Sequence, residues 1–251
     1  MMQPPRIGAY GGTFDPIHRG HVEVASAIVD KFEMDELLII PAASPPHKDP
    51  RGLSSSHHRF AMAAIGTLPV PRVRVSAIEI DSPANPYTFE TVARLRSLYG
   101  PTAELYFVIG SDSFEEMHTW RRPDLILSNS NLIVAARPGY GMSNPQLACL
   151  FAADLECTST TRDNSQGTGA GGWSARIIDL AGDRIPAAAP PATRCAGSIF
   201  LTDYVRADIS STEIRHRAAR NLDIRGMVPA GVADYISKYK LYQAGGPAGL
   251  Q

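Results

Sequence analysis

The segment from Gly11 to His21, GGTFDPIHRGH, is the feature that most constrains how this 251-residue chain can fold. It follows a short apolar stretch, Arg6 to Tyr10, that predicts a buried strand, and it leads into apolar residues at helical spacing from Gly20 to Phe32. Its first two glycines let the backbone turn sharply and approach a ligand closely. A turn between a strand and a helix is a common phosphate site, because N–H groups of the first helical turn point at the anion. The chain is therefore predicted to open with a phosphate-binding strand–turn–helix unit.

The apolar segments that follow alternate between strand and helix patterns. Strands that alternate with helices predict a parallel sheet with helices on both faces, so we expect a Rossmann-like, doubly wound α/β fold in a single domain. Several predicted strands end in Gly, Ser, Asp or His, and ligands bind at the carboxyl ends of the strands in such sheets. The predicted strands cover residues 37–40, 73–80, 105–109, 132–136, 175–180 and 198–201, and the predicted helices cover 54–68, 88–99, a segment near 114, a segment after 123, 210–220 and a last helix from 229.

Helical spacing also predicts which side of a helix is buried. We expect Arg59, next to the apolar stripe of the second helix, to be solvated or ion-paired. Phe60, Ala64 and Leu68 are expected on one face of the second helix, and Val92, Leu95 and Leu98 of the third helix are predicted to pack inward.

The stretch from about residue 140 to 197 interrupts the alternating pattern. Thr158 to Gly172 is rich in Thr, Ser and Gly, which is typical of a loop, and a loop of this length is uncommon inside a compact domain. We expect one domain over residues 1–245 with an irregular insertion at 140–197, and a loose tail at 246–251.

Composition excludes several classes of protein. The formal net charge is -1, which argues against nucleic-acid binding by bulk electrostatics. No apolar run reaches membrane-spanning length and no signal peptide is visible, so a cytoplasmic location is expected. The three cysteines, Cys149, Cys157 and Cys195, match neither a disulfide framework nor a zinc site, and His57 and His58 point in different directions on a helix. No metal site built by the protein is predicted, and the sequence leaves the oligomeric state open.

Two histidines carry the chemistry that the first segment suggests. His18 and His21 bracket Gly20, so a phosphate can approach the chain between two imidazoles. A ring nitrogen donates a hydrogen bond to a phosphate oxygen and can carry charge near neutral pH. Because catalysis of phosphoryl-type transfer is mostly positioning and charge stabilisation, no covalent nucleophile is needed. The alternative is a helix-capping His beside a surface His.

The segment GGTFDPIHRGH resembles the signature of the HxGH nucleotidyltransferase superfamily. Within that superfamily the chain resembles bacterial nicotinate-nucleotide adenylyltransferases, over residues 6–139 and 198–242. The resemblance implies an enzyme of NAD biosynthesis that joins ATP and nicotinic acid mononucleotide to give deamido-NAD and pyrophosphate. It also implies Mg²⁺ held mainly by the ATP phosphates and water, with no nucleic acid and no membrane as partners.

A second segment, Ile209 to Arg215 (ISSTEIR), resembles the family's second signature, which binds ATP phosphates at a helix start. The same residues also fit a plain capped helix, in which Ser210 caps and Glu213 reaches back. By resemblance, the catalytic residues are His18, His21 and Arg215, and the ATP-binding residues are Gly12, Thr13, Phe14, Gly20, Ser210, Ser211 and Thr212.

Further short segments resemble the part of the family's site that holds the mononucleotide. A backbone contact to the pyridine carboxylate, an acceptor for a ribose hydroxyl, an aromatic ring stacked on nicotinate and cationic contacts to phosphate are all implied. The residues that match are His47, Lys48, Thr88, Asp112, Trp120, Arg121 and Arg137.

Other functions remain open on sequence grounds. A related adenylyltransferase could use nicotinamide mononucleotide or phosphopantetheine, although the phosphopantetheine family usually has Thr where His18 stands. A cytidylyltransferase would carry a different second signature. A non-catalytic nucleotide sensor on the same scaffold would lose catalytic residues, whereas His18, His21 and Arg215 are all present.

Overall fold

The computed structural model describes residues 3–44, 53–84, 86–136, 167–168, 174–180, 197–204 and 209–243. Its regular elements follow the predicted alternation closely. The strands are β1 (Arg6–Gly12), β2 (Glu36–Pro41), β3 (Val73–Val75), β4 (Glu104–Gly110), β5 (Asn131–Ala135), β6 (Gly167–Thr168), β7 (Ser174–Asp179) and β8 (Ser198–Thr202). The helices are α1 (Arg19–Lys31), α2 (Ser56–Thr67), α3 (Thr88–Tyr99), α4 (Ser111–Glu115), α5 (Pro123–Asn129), α6 (Ser211–Ala219) and α7 (Ala230–Lys238), with a 3₁₀ turn at Met117–Thr119.

The described strands form a sheet in the order β3-β2-β1-β4-β5-β8-β7-β6. Neighbouring strands run parallel, except that β6 is antiparallel to β7. Because β1 lies between β2 and β4, the strand order changes direction there, and such a switch point opens a crevice at the carboxyl ends of the strands. The predicted Rossmann-like, doubly wound sheet is confirmed.

Two apolar cores cover the two faces of the sheet. One packs α1, α2, α6 and α7 against it through residues such as Ile28, Met62 and Ile236. The other packs α3, α4 and α5 through residues such as Leu95 and Phe114. Alternate residues of β4 point to the two cores, as the two-residue period of a strand requires. The helices therefore hold β1 and β4 rigidly, and the turns that leave these strands form the site.

The length of one strand and the burial of one helix residue were predicted wrongly, and both errors concern the surroundings of an element. The predicted strand 73–80 ends at Val75, because the chain turns at Ala77, whose carbonyl accepts the Asp81 N–H at 2.8 Å. Leu98, which was predicted to pack inward, is 72% exposed. Periodicity defines a stripe on a helix, but it does not determine where the neighbouring elements stop covering that stripe.

The predicted insertion at 140–197 contributes described residues only at 167–168, 174–180 and 197. The strand expected at 175–180 is confirmed as β7, which pairs in parallel with β8. The rest of the insertion, most of the Thr158–Gly172 stretch and the tail at 246–251 lie outside the described residues. None of the helices that the structure describes has the length and apolar character needed to cross a bilayer.

Candidate active site

A cavity of about 400 Å³ opens at the carboxyl ends of β1, β4 and β5. Its walls come from the turn after β1, the first turns of α1 and α4, and the start of α6. It therefore lies at the switch point of the sheet, where the fold places a ligand. The lining residues are Tyr10 to Phe14, His18, Gly20, His21, Val24, Gly110 to Ser113, Ala135 and Ile209 to Thr212.

His18 and His21 are locked together at the start of α1. The Nδ1 atom of His18 accepts the His21 N–H at 3.4 Å, and the Nδ1 atom of His21 accepts the His18 N–H at 3.2 Å. The two rings stack with their centroids 3.6 Å apart and their planes inclined by 21°. This is a capping box in which both partners are imidazoles rather than a hydroxyl and a carboxylate.

The reciprocal hydrogen bonds determine the tautomer of both rings. An Nδ1 atom that accepts a hydrogen bond carries no proton, so each neutral ring has its proton on Nε2. The donor that each ring can offer to an anion is therefore Nε2–H, in a cavity that both residues line. The two alternative roles considered from the sequence, helix cap and phosphate donor, are compatible, because capping uses Nδ1 whereas donation to a phosphate uses Nε2.

Gly12 and Phe14 shape the turn between β1 and this pair. The Phe14 ring is buried and makes edge contacts with Tyr10 and His21, with centroid distances of 5.4 Å and 5.0 Å. A Cβ atom at Gly12 would lie 2.9 Å from Cζ of Phe14, so only glycine leaves room for the ring. Although both residues line the cavity, the contacts of the Phe14 ring are with protein groups and support the position of His21.

The start of α6 forms the opposite wall. The hydroxyl of Ser210 accepts the Thr212 N–H at 3.2 Å, and Ser211 donates its hydroxyl proton to the carbonyl of Pro16 at 3.1 Å. The predicted capping box with Glu213 is wrong, since the Glu213 carboxylate lies 3.8 Å from the guanidinium of Arg217 instead. The local sequence allows Ser210 to cap the helix with or without a return contact from Glu213, and in the structure the Ser210 hydroxyl accepts the nearer N–H, that of Thr212. The second signature is thus tied to the turn that leaves β1.

Arg215 lies behind the cavity wall rather than among its lining residues. Its Nη1 donates to the carbonyl of Asp15 at 2.8 Å, and its Nη2 donates to the hydroxyl of Thr212 at 3.2 Å. Thr212 itself lines the cavity, so the guanidinium is one hydrogen bond from it. The two imidazoles and the arginine therefore meet at one site, with the arginine half-buried at its edge.

Arg59 was predicted to be solvated or ion-paired, and this is wrong. The side chain is 1% exposed, and its guanidinium donates to the carbonyls of Ser54, Thr13 and Ala43 at 3.1, 2.9 and 3.1 Å. Burial lowers the pKa of this guanidinium, whereas the nearby Asp15 raises it. Arg59 ties the turn after β1 to the segment after β2 and to the entry of α2. Its spacing with Met62, Ala63 and Gly66, on the buried side of α2, is the sequence signal that could have revealed it.

The residues expected to hold the mononucleotide are not all in this cavity. Asp112 lines it, at the start of α4. Thr88, Trp120 and Arg121 lie outside it, although the guanidinium of Arg121 stands 4.9 Å from the ring centroid of Tyr87, which precedes Thr88. His47, Lys48 and Arg137 fall outside the described residues.

Two more polar residues near the site were not singled out from the sequence. Glu79 accepts the Thr91 hydroxyl at 2.8 Å and the N–H of Ala43, and burial raises its pKa although both hydrogen bonds lower it. Tyr242 donates its hydroxyl to Asp15 at 2.7 Å. Neither belongs to a motif, so no local sequence signal points to them. Within the described ranges, no group of three or more His, Cys, Asp or Glu side chains is arranged to hold a metal ion.

Fold and site together define a nucleotidyltransferase: the chain matches the cytidylyltransferase-like family over residues 9–217 and belongs to it. Proteins from Thermoanaerobacter sp. and Corynebacterium kroppenstedtii, each named "Probable nicotinate-nucleotide adenylyltransferase", are 32% and 34% identical to it. These matches cover 97% and 98% of this chain and 97% and 94% of the relatives. Within the wider family, the chain belongs to the nicotinate-nucleotide adenylyltransferases.

A solved structure supports the same fold. Plasmodium falciparum nicotinic acid mononucleotide adenylyltransferase complexed with NaAD matches with a TM-score of 0.64 at 18% identity, over 95% of this chain and 97% of that one. The agreement extends over nearly the whole of both chains, as expected for a shared sheet topology.

Proposed function

We propose that the cavity binds ATP and nicotinic acid mononucleotide and catalyses their joining to deamido-NAD and pyrophosphate. A phosphate oxygen of the mononucleotide attacks the α-phosphorus of ATP, the bond from that phosphorus to the bridging oxygen breaks, and pyrophosphate leaves. The observation that carries the proposal is the stacked pair of His18 and His21, facing the start of α6 across one cavity. The names of the full-length relatives supply the two substrates.

The two rings act as donors to the group that is transferred. As negative charge develops on the transferred and leaving groups, the Nε2–H groups of His18 and His21 stabilise it. The first turn of α6 supplies backbone N–H groups to the same anion, with Ser211 and Thr212 at the helix start. Arg215 adds a guanidinium at the edge of the site. Among the described residues that line the cavity, these dipoles and imidazoles are groups suited to bind the anion.

A magnesium ion fits the described part of this site if the phosphates of the bound ATP supply most of its ligands. Asp112 is the carboxylate residue among those that line the cavity, and one carboxylate does not make a cage for the ion. Mg²⁺ would therefore be held mainly through phosphate oxygens and water, within reach of Asp112. When bound, it neutralises charge on the phosphates of ATP.

The proposal is tested by replacing each histidine with alanine and measuring pyrophosphate release from ATP, Mg²⁺ and nicotinic acid mononucleotide. We expect kcat to fall about 10²–10³-fold in His18→Ala and His21→Ala, because each loses one donor to the developing charge. His57→Ala is the matched control, since His57 is exposed on α2 and lies outside the cavity. Thermal unfolding shows whether each variant is folded. Near-wild-type turnover in both variants would contradict the assignment.

Substrate choice has its own test. We expect kcat/KM to be higher for nicotinic acid mononucleotide than for nicotinamide mononucleotide or phosphopantetheine. Comparable values for the acid and the amide would remove the nicotinate preference and leave the reaction class intact. Binding of ATP without pyrophosphate release from any of these acceptors would instead favour a sensor.

A further inference from the structure

A partly buried hydrogen-bond network beneath the cavity connects Asp15, Ser54 and Tyr242. Tyr242 belongs to none of the sequence motifs. Tyr242, just after α7, donates its hydroxyl to Oδ1 of Asp15 at 2.7 Å. The other carboxylate oxygen of Asp15 accepts the Ser54 N–H at 3.2 Å, and the Ser54 hydroxyl is hydrogen-bonded to Tyr242. Asp15 is 1% exposed, so its carboxylate receives its hydrogen bonds from these protein donors rather than from water.

The hydroxyl of Tyr242 is suited to act as a permanent donor. Burial raises its pKa well above the ordinary value of 10.0, and the neighbouring Asp15 raises it further. The hydroxyl therefore keeps its proton near neutral pH. Its phenol ring is partly buried and packs against the core formed by α1, α2, α6 and α7, which limits its freedom to move.

Asp15 links this network to the catalytic wall. Its side chain is held by Tyr242 and Ser54, and its backbone carbonyl accepts the guanidinium of Arg215 at 2.8 Å. Because both oxygens of the Asp15 carboxylate are held, and the carboxylate lies only three covalent bonds from the backbone carbonyl, these hydrogen bonds help to fix the backbone that accepts Arg215. The position of Arg215 therefore depends on a hydroxyl on the far side of Asp15.

We propose that Tyr242 is a positioning residue that holds Arg215 in its working place by fixing Asp15. The proposal rests on the role given to Arg215 in the proposed function. It extends the site to Tyr242, which follows α7 and is not among the described residues that line the cavity.

The first measurement compares two tyrosine-to-phenylalanine variants. Tyr242→Phe removes the donor to Asp15 and is expected to lower kcat about tenfold, the effect of losing one hydrogen bond to a charged group. Tyr106→Phe is the matched control, because its buried hydroxyl also donates to a carboxylate, that of Glu104, at 3.0 Å, near the start of β4 and far from the cavity. We expect similar decreases in Tm for both variants, and a decrease in kcat for Tyr242→Phe alone.

The second measurement separates positioning from general destabilisation. In an Arg215→Ala background the Tyr242→Phe substitution should have no further effect on kcat, because the group that it positions is gone. A full additional tenfold loss in the double variant, or wild-type kcat in Tyr242→Phe, would overturn the inference while leaving the proposed function in place. Wild-type kcat in Arg215→Ala would overturn the role of Arg215 and the inference together, whereas the histidine variants would still test the reaction.

Discussion

Replacing the buried Arg59 with methionine is expected to lower the free energy of unfolding by about 3 kcal/mol. Methionine keeps much of the length and apolar volume of the side chain, so the change removes the guanidinium without leaving a large cavity. The three carbonyls that this group serves, those of Ser54, Thr13 and Ala43, lose their donor.

The magnitude follows from two opposing contributions. A hydrogen bond to a charged group stabilises a protein by about 1.5–3 kcal/mol, and Arg59 makes three such bonds with donor–acceptor distances of 2.9–3.1 Å. Burial of a charge costs several kcal/mol, and the methionine variant no longer bears this cost. The lowered pKa of Arg59 shows that desolvation is substantial here. The net loss is therefore well below the sum of three bonds and close to about 3 kcal/mol.

Urea unfolding followed by circular dichroism measures this difference. Arg74→Met is the matched control, because Arg74 is 79% exposed and its ion pair with Glu36, at 3.3 Å, should contribute less than about 1 kcal/mol. Equal midpoints and equal slopes for the two variants would refute the reasoning, since they would mean that a buried guanidinium with three acceptors matters no more than a solvated one. The loss of unfolding free energy in Arg59→Lys should lie between the losses in Arg59→Met and Arg74→Met. The lysine keeps the positive charge, but its ammonium group cannot reach all three carbonyls in one plane.

Three further predictions concern packing and pH. Gly12→Ala should reduce kcat while the protein remains folded, because the new methyl group pushes Phe14 against the histidine pair; unchanged pyrophosphate release would contradict this. Burial raises the pKa of Glu79 above its ordinary value of 4.5, so the folded protein binds this proton more tightly than the unfolded chain does. The free energy of unfolding should therefore fall as the pH rises from about 4.5. Glu79→Gln should lack this part of the pH dependence in unfolding measurements between about pH 4 and pH 7, and identical profiles would refute it. Leu95→Ala should cost about 2–5 kcal/mol of unfolding free energy and the exposed Leu98→Ala under about 0.5 kcal/mol; equal losses in thermal unfolding would show that burial does not control the difference.

Much of the fold was predictable because the signals that specify it are local. The first helix was expected from Gly20 to Phe32 and spans Arg19–Lys31, and the strand expected at 105–109 is β4 (Glu104–Gly110). Apolar periodicity, glycine turns and capping residues act within a few positions of each other, so a single sequence displays them. The convergence of the first turn with the start of α6 also followed, since both were expected at the carboxyl edge of one parallel sheet.

Predictions about individual side chains were less successful, because they depend on partners distant in the chain. Leu98 fits the stripe of α3, but none of the elements that the structure describes reaches far enough to cover it. Arg59 resembles a surface residue until the turns after β1 and β2 bring two carbonyls to its guanidinium. Ser211 was expected by resemblance to bind ATP, and only the packed structure shows that its hydroxyl donates to the carbonyl of Pro16.

The sequence alone determined the class of fold, the location of the site and the types of group in it, because these follow from short-range pattern and from the topology of parallel sheets. Only the tertiary structure decided that His18 and His21 lock each other's tautomer, that Arg215 stands behind the wall and that Tyr242 lies beneath it. The physical reason is that a hydrogen bond depends on angles and on distances to within a few tenths of an ångström. For Arg215 and Tyr242, those distances arise when segments 200 and 227 residues apart pack together, and residue order does not specify them.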